Sequence, residues 1–392
     1  MTERTRTNPW LVLAGCFILS VGVNAYMIAP SSISPLFVER FGISTAAAGN
    51  IISAAVLGSI LTQIPGGYLM DRFDNRWLVV PAVVGFLGIV AWNQVQESFT
   101  LFLLARGLAG VLGGFVFTAG ANVVGRVFGP ENRGVATGIY MTSPPASFAL
   151  AHTTSPLVGT AFGPLRVFVL HGALAVLGVA LFWVAAREPV RGDSAPSPAE
   201  FARALGNRSV ILVAFSAFAV YALYLFLNTW IPAYGRDVLS LSLSAAGIVT
   251  AVVPVVGLAA RPAGGWLSTR IGYRRKPVLA GGLLVGLVFL VAVPLVEGLA
   301  LFLLALVLAA FTLQLGTGVY YLLTRELATP GTEGTSLTVM TTVSFTGSFV
   351  APVAGGWLVA DYSWGVAFAA FAAVGFLGAV VLYPVSEPAA LD

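Results

Sequence analysis

The chain has 392 residues, of which 58% are hydrophobic and only 9% are charged, and its formal net charge is +4. Soluble domains carry about 25% charged residues, so the composition excludes an ordinary soluble protein and indicates a polytopic helical membrane protein. The basic residues are spread along the chain, so the positive charge predicts no nucleic-acid partner.

Apolar segments long enough to cross a bilayer recur along the whole chain. We predict twelve transmembrane helices, which leave no length for a separate soluble domain. The first helix is expected to be retained, because its apolar block is too long for a signal peptide and no small-residue cleavage site follows it. The predicted spans are 10–37, 45–70, 77–95, 99–128, 134–158, 164–186, 209–234, 243–268, 277–295, 298–323, 335–360 and 364–384.

Most of the twenty basic residues fall in the N-terminus and in the loops that follow even-numbered helices. Only Arg40, Arg166 and Arg236 fall in loops on the other side. The positive-inside rule therefore predicts a protein of the cytoplasmic (inner) membrane with both termini in the cytoplasm. Arg106 and Arg261 lie inside predicted helices.

Short stretches of the sequence repeat at a distance of about half its length. GGYLMDR at 66–72 returns as GGWLSTR at 264–270, STAAAG at 44–49 as SLSAAG at 242–247, and LFLLA at 101–105 recurs at 301–305. Such repeats are common in secondary transporters, whose substrate site lies near the bilayer midplane between them. We therefore predict two pseudo-symmetric six-helix bundles, residues 1–186 and 209–392.

The polar stretch 187–208 is predicted to be a cytoplasmic linker between the bundles. A capping box at 197–200, with Pro198 in the first turn and Gly206 as a stop, predicts a short amphipathic helix there. We expect the helix to act as a tether.

The stretch GGYLMDRFDNR resembles the signature of the major facilitator superfamily, Gly-x-Leu-x-Asp-Arg followed by basic residues. Asp74 departs from it, because a glycine is usual at that position. Arg106 with Gly110 and Gly113 resembles the second motif of the family. Together with the repeat, the resemblance covers the whole chain and implies the superfamily's twelve-helix fold.

In that superfamily the motif aspartate latches the cytoplasmic side. The resemblance implies that Asp71 contacts the start of the eleventh helix, near residues 334–335, and Arg126. The second copy has Thr269 in place of the aspartate, so the corresponding latch is expected to be weaker or absent there. The gating residues implied are Gly67, Asp71, Arg72, Arg76, Arg126, Gly265 and Arg270.

Arg261 lies nine residues before Arg270, which places it about 13 Å into the membrane. Such a position costs at least about 2.5–3.5 kcal/mol and is functional by default. All sixteen acidic residues map to helix ends, loops or termini, so no buried carboxylate is available as a partner. A guanidinium without an acid predicts a site for a substrate anion. The alternative is a side chain that reaches the membrane surface or binds helix carbonyls.

The sequence RPAGGWLS around Arg261 resembles the eighth helix of nitrate/nitrite porters and of oxalate/formate and monocarboxylate transporters, where the matching arginine contacts the anion. The nitrate porters have a second arginine where this chain has Gln63, which leaves one certain cation and favours a monovalent anion. Arg106 either contacts the anion or has only a structural role. If both arginines face the cavity, a dicarboxylate becomes plausible.

Polar residues on shared helical faces complete the predicted cavity. Each of them has packing between helices as an alternative role. With Arg261 and Arg106, the candidate substrate-binding residues are Asn24, Tyr26, Tyr221, Tyr224, Asn228, Gln314, Thr317, Tyr321, Thr338 and Thr341.

The leading hypothesis is a secondary transporter that moves a small anion, a monocarboxylate or an inorganic ion such as nitrate, nitrite or cyanate, by alternating access. Its co-substrate is either protons or a counter-anion. His152 is the candidate proton-coupling group, and its alternative role is a buried imidazole bonded to a neighbour. We expect a monomer in the bilayer. The alternatives are an exporter of hydrophobic drugs and a membrane sensor or scaffold that does not transport. No metal-spaced cluster, nucleophile–base arrangement or phosphate loop is present, so neither an enzyme nor a metal or cofactor is expected.

Overall fold

The computed structural model describes residues 7–190, 198–330 and 332–387, and within these ranges the secondary structure is helical. Within the described ranges, ten helical segments are long and apolar enough to cross a membrane. The predicted fold class, an all-α multi-pass membrane protein, is confirmed. The first half contains α1 (Pro9–Ile28), α2 (Ser34–Phe41), α3 (Thr45–Arg72), α4 (Asn75–Asn93), α5 (Phe99–Val127), α6 (Pro130–Met141), α7 (Ser143–Phe162) and α8 (Arg166–Ala185). The second half contains α9 (Pro198–Gly206), α10 (Arg208–Asp237), α11 (Leu243–Arg270), α12 (Lys276–Ala292), α13 (Leu299–Leu327), α14 (Glu333–Asp361) and α15 (Trp364–Val381).

Each of the twelve predicted spans coincides with one helix or with two consecutive helices. The first span is α1 joined to α2 by a 3₁₀ turn at Ala29–Ile33, and the fifth is α6 joined to α7 at Thr142. Each interruption lies beside a proline, Pro30 or Pro144. Proline has no N–H for the carbonyl four residues earlier, so the regular α-helical pattern cannot continue through it.

Polar residues with side-chain oxygens mark the starts of several helices. Each accepts a hydrogen bond from a backbone N–H in the first turn, a group that has no partner inside the helix. This local chemistry explains why helices start at these points within an otherwise apolar sequence. The capping residues are Asn8 for α1, Asp74 for α4, Ser98 for α5, Asn207 for α10, Ser242 for α11 and Ser363 for α15.

The helices group into two compact units. Unit 1 comprises Met1–Gly42 and Ala54–Ala195, and unit 2 comprises Ile43–Ser53 and Pro196–Asp392, so the first turns of α3 belong to unit 2. In unit 1, α1 packs against α5, α7 and α8, while α4 packs against α5 and α8. In unit 2, α10 packs against α13, α14 and α15, while α12 packs against α13 and α15. Corresponding helices of the two sequence repeats therefore make the same pairs.

Small residues allow close helix contacts in these units. Within unit 1, a Cβ atom built on Gly110 of α5 would lie 1.9 Å from the carbonyl oxygen of Ala55 in α3. Only glycine permits this approach. Membrane helices associate through such close backbone packing, because no hydrophobic driving force acts between them in the bilayer. Gly110 of the second motif therefore has a packing role.

Candidate functional site

Arg261 lies on the uninterrupted helix α11, nine residues before its end at Arg270, which is about 13 Å along the helix axis. Its side chain is half-buried and turns toward α10 and α13 of the same unit. Nη2 donates to Oε1 of Gln314 at 3.4 Å, and the guanidinium carbon lies 5.5 Å from the ring centre of Tyr224. The guanidinium therefore packs between an amide and an aromatic face, a known arrangement for arginine.

The guanidinium of Arg261 has at least one hydrogen-bond donor without a partner within the described residues. Its Nε is buried and has no hydrogen-bond partner within the described residues, and the contact with Gln314 is at the long end of the hydrogen-bond range. The ion pairs within the described part of the chain are Arg76 with Asp74 and Arg275 with Glu326, and neither involves Arg261. A buried, unsatisfied donor on a cation is costly, and an oxyanion that accepts from it would remove this cost.

Gln314 holds the position of this guanidinium. Its Nε2 donates to the carbonyl oxygen of Val253 on α11 at 2.8 Å and to that of Ala310 at 3.2 Å, so its Oε1 is left facing Arg261. The amide can lie against α11 because residue 257 is glycine: a Cβ atom there would come within 2.1 Å of Oε1. Gln314 and Gly257 thus act together on the orientation of Arg261.

Three tyrosines predicted to bind substrate lie on α10 and α13 of unit 2. The hydroxyl oxygens of Tyr221 and Tyr321 are 3.1 Å apart and share a hydrogen bond, while Tyr224 lies under Arg261. Asn228, one turn after Tyr224, is fully buried and donates to the carbonyl oxygen of Tyr224 at 2.8 Å. The structure thus brings Arg261, Tyr224 and Gln314 into contact and pairs Tyr221 with Tyr321.

The predicted threonines of unit 2 have local contacts. Thr338 and Thr341 of α14 donate to carbonyl oxygens of their own helix, Gly334 at 3.1 Å and Leu337 at 2.9 Å. Thr317 is 9% exposed on α13, one turn after Gln314. Threonine hydroxyls in membrane helices commonly bond to the preceding turn, and this does not prevent them from accepting a further donor.

Arg106 in unit 1 has a different environment from Arg261. It is fully buried, and its Nη1 and Nη2 donate to the carbonyl oxygens of Tyr26 at 2.9 Å and Met27 at 2.6 Å. Both carbonyls lie just before the 3₁₀ turn. The carbonyl of Tyr26 in an α-helix, or that of Met27 in a 3₁₀ helix, would accept a hydrogen bond from the N–H of residue 30, but Pro30 has no N–H. These contacts favour the structural role of Arg106 over contact with an anion.

The other predicted residues of unit 1 are also bonded within the unit. Tyr26 is fully buried, and its hydroxyl accepts a hydrogen bond from the amide of Asn93. Asn24 donates to the carbonyl oxygen of Ser20 at 2.9 Å. His152 is fully buried on α7, with Nδ1 2.6 Å from the hydroxyl oxygen of Ser32.

Among the predicted gating residues, Gly67 and the side chain of Asp71 lie outside the described residues. Arg126 donates to the carbonyl oxygen of Met70 at 3.3 Å. Arg72 lies 4.6 Å from the ring centre of Tyr68, and Arg270 lies 5.1 Å from that of Trp266. Arg76 forms an ion pair with Asp74 at 2.8 Å, and nothing lies within 4 Å of a Cβ atom built on Gly265.

Asp74 has a role that sequence reasoning missed. Its carboxylate accepts from the side chain of Arg76 and from the backbone N–H of Val190 at 3.0 Å, which attaches the segment after α8 to the start of α4. Burial acts to raise the pKa of Asp74, but the hydrogen bonds from Arg76 and from the N–H groups of Val190 and Arg76 outweigh it, so the pKa is lowered. The departure from the family's glycine was the available signal.

The pair of Arg275 and Glu326 in unit 2 was also missed. Arg275 Nη2 lies 2.9 Å from Glu326 Oε1, and Nη1 donates to the hydroxyl of Ser268 at 2.7 Å. At the 200-residue distance of the LFLLA copies, Arg275 and Glu326 correspond to Asn75 and Arg126, so the repeat does not indicate this pair.

Comparisons with known proteins agree with this fold. The family model described as Major Facilitator Superfamily matches residues 13–352 and 238–391. The chain is 25% identical to the multidrug resistance protein MdtG of Proteus mirabilis (strain HI4320), over 97% of each chain. It is 24% identical to the hexuronate transporter of Bacillus subtilis (strain 168), over 88% of this chain and 86% of the relative. A crystal structure of a bacterial homolog of the human lysosomal transporter Spinster, inward-facing and unoccupied, superposes with a TM-score of 0.77 at 18% identity, over 97% of this chain and 95% of that one.

Proposed function

The chain belongs to the Major Facilitator Superfamily, and from this premise we propose that it is a secondary transporter that moves a small anion by alternating access. The observation that carries the proposal is Arg261, a half-buried guanidinium with an unused buried donor and no ion pair within the described residues. An anion that accepts from this guanidinium supplies the missing countercharge, and the planar donor fork suits a carboxylate or another planar oxyanion.

The proposed substrate is singly charged, because Arg261 is the one embedded arginine of the described chain whose donors are not used on backbone carbonyls. A monocarboxylate fits this site, and so does an inorganic anion such as nitrate, nitrite or cyanate. The hydroxyl groups of Tyr221 and Tyr321 offer hydrogen bonds to substrate hydroxyls. The relative named a hexuronate transporter favours an organic monocarboxylate.

The test is counterflow in proteoliposomes with a panel of small anions, using the wild type, Arg261→Gln and Arg261→Lys. We expect Arg261→Gln to lower the apparent affinity for the transported anion by at least about tenfold, the size expected for a lost hydrogen bond to a charged group. Arg261→Lys keeps the positive charge but loses the planar fork of N–H donors, so it should retain part of the affinity. Arg236→Gln, which removes an arginine from the end of α10, is the matched control. Full anion uptake by both Arg261 variants would overturn the proposal.

The second candidate is export of a hydrophobic compound, which the relative named as a multidrug resistance protein favours. The same proteoliposomes separate the two functions. A hydrophobic cation whose efflux is unaffected by Arg261→Gln, with no counterflow of any anion, would support the second candidate.

We further propose that Asp71 latches the cytoplasmic side, with both termini in the cytoplasm and the protein acting as a monomer in the cytoplasmic membrane. Asp71→Asn should slow anion exchange while the melting temperature stays unchanged, and normal exchange rates would refute the latch. The coupling of transport is a separate question. We propose that the co-transported species is a proton or a second anion. A proton gradient imposed on the proteoliposomes distinguishes them, and loss of its effect in His152→Gln would identify the coupling group.

A further inference from the structure

A groove of about 420 Å³ lies at the end of unit 2 where α12 begins and α15 ends. It is separate from the Arg261 site, whose residues are on α10, α11 and α13. Both polar and apolar side chains line it: Arg274, Lys276, Pro277, Tyr383, Val385 and Glu387.

Two cations face this groove. Lys276 donates from Nζ to the carbonyl oxygens of Tyr383 at 2.6 Å and Val385 at 2.9 Å, so its ammonium group is fixed in the groove. Arg274 is exposed, and it forms no ion pair within the described residues. One charge is therefore positioned by the backbone, and the other remains accessible to a ligand.

The groove already accommodates one oxyanion from the chain itself. The carboxylate of Glu387 accepts a hydrogen bond from the backbone N–H of Lys276, the first residue of α12. With Arg274, Lys276 and Glu387 counted together, the groove carries a net charge of +1. A ligand with one negative charge, such as a phosphodiester, would neutralise it.

The position of the groove in the membrane indicates that the phosphodiester would belong to a lipid. α15 is one of the membrane-spanning helices, so its end lies at the level of the lipid headgroups. Tyr383 is 85% exposed, with the Lys276 ammonium 5.7 Å from its ring centre. Trp266 and Tyr273, which are also exposed, lie near the α11 end that leads into α12. Exposed tyrosine and tryptophan at helix ends mark the membrane interface.

We propose that this groove binds the headgroup phosphate of an anionic phospholipid, between Arg274 and Lys276, with Tyr383 beside the glycerol. Basic pockets at the ends of membrane helices are a known form of lipid recognition, and each nearby cation adds to the attraction. Glu387 opposes the phosphate through like charge, so the structure assigns opposite effects to the arginine and the glutamate. The site does not depend on the identity of the transported substrate.

The experiment titrates phosphatidylglycerol into the detergent-purified protein and measures lipid binding by native mass spectrometry. Arg274→Gln should weaken binding about fivefold, the equivalent of about 1 kcal/mol. Glu387→Gln should strengthen it, because the amide keeps a hydrogen-bond acceptor for the Lys276 N–H and removes the negative charge. Arg236→Gln, at the other end of unit 2, should bind like the wild type.

Three further results bear on the proposal. Phosphatidylcholine, which carries no net charge, should bind more weakly than phosphatidylglycerol, and the difference should shrink in Arg274→Gln. Glycerol 3-phosphate with an affinity equal to that of the lipid would overturn the assignment of a membrane ligand. Equal phosphatidylglycerol binding by the wild type, Arg274→Gln and Glu387→Gln would overturn the site itself.

Discussion

The guanidinium of Arg106 donates to the carbonyl oxygen of Tyr26, the acceptor that Pro30 leaves without a helical N–H. A neighbouring helix thus supplies the donor that proline removes from the first span. In a bilayer an unsatisfied backbone carbonyl costs several kcal/mol, so the arginine and the proline form one structural unit.

Loss of Arg106 should therefore matter more while Pro30 is present. We expect Arg106→Gln to lower the melting temperature of the purified protein, because two buried carbonyls lose charge-assisted donors worth about 1.5–3 kcal/mol each. In the Pro30→Ala background the restored N–H should reduce this loss substantially. A double-mutant cycle of thermal unfolding measures the coupling, and strictly additive effects would show that the explanation is wrong.

The same variants separate the two proposed roles of Arg106. If its donors serve only the backbone, Arg106→Gln combined with Pro30→Ala should transport the anion with wild-type affinity. A tenfold loss of affinity in that stable double variant would instead assign Arg106 to the substrate.

Gly257→Ala should disturb anion binding without touching a charged group. The new Cβ would lie 2.1 Å from Oε1 of Gln314, so the amide must move, and Arg261 loses its positioning contact. We expect a several-fold rise in the apparent KM for the transported anion. The matched control is Gly281→Ala on α12 of the same unit, where the added methyl group has nothing within 4 Å. Equal kinetics for both alanine variants would contradict a positioning role of Gln314.

Asp74→Asn should remove a pH-dependent part of the stability of unit 1. The folded-state pKa lies below the ordinary value of 3.8, so the carboxylate stabilises the fold at pH values above 3.8. This stabilisation is lost as the pH falls through the lowered pKa. The melting temperature of Asp74→Asn should thus be lower than that of the wild type at pH 7, and the two should approach each other in acid. Glu97→Gln, at an exposed carboxyl, is the control. A difference that stays constant down to the lowest pH would contradict this assignment.

The spans could be predicted from the sequence because hydrophobic length is a property of each segment by itself. The interruptions at Ala29–Ile33 and Thr142 could not, since a proline in a membrane helix either bends it or ends it, depending on which neighbour supplies the missing donor. For α1 that neighbour is Arg106, a residue distant in sequence.

The candidate site shows the same division. The depth of Arg261 and the absence of a nearby acid follow from counting residues, and so does the polar face of α10. The contact of Arg261 with Gln314 does not, because it depends on Gly257 allowing two helices to approach. Asp74 was recognised as unusual, but its bond to Val190 joins residues 116 positions apart in sequence, and no local pattern reveals such a partner.

Asp74 and Gly272 occupy the same place in the two copies of the duplicated motif, and they show how far the copies have diverged. Gly272 has a φ of +76°, which an aspartate would adopt only at a cost of about 1–2 kcal/mol. A glycine in place of Asp74 would leave the N–H of Val190 without its acceptor. The two turns are thus no longer interchangeable, because Gly272 adopts a positive φ in its turn whereas Asp74 binds the backbone of Val190, which is distant in sequence.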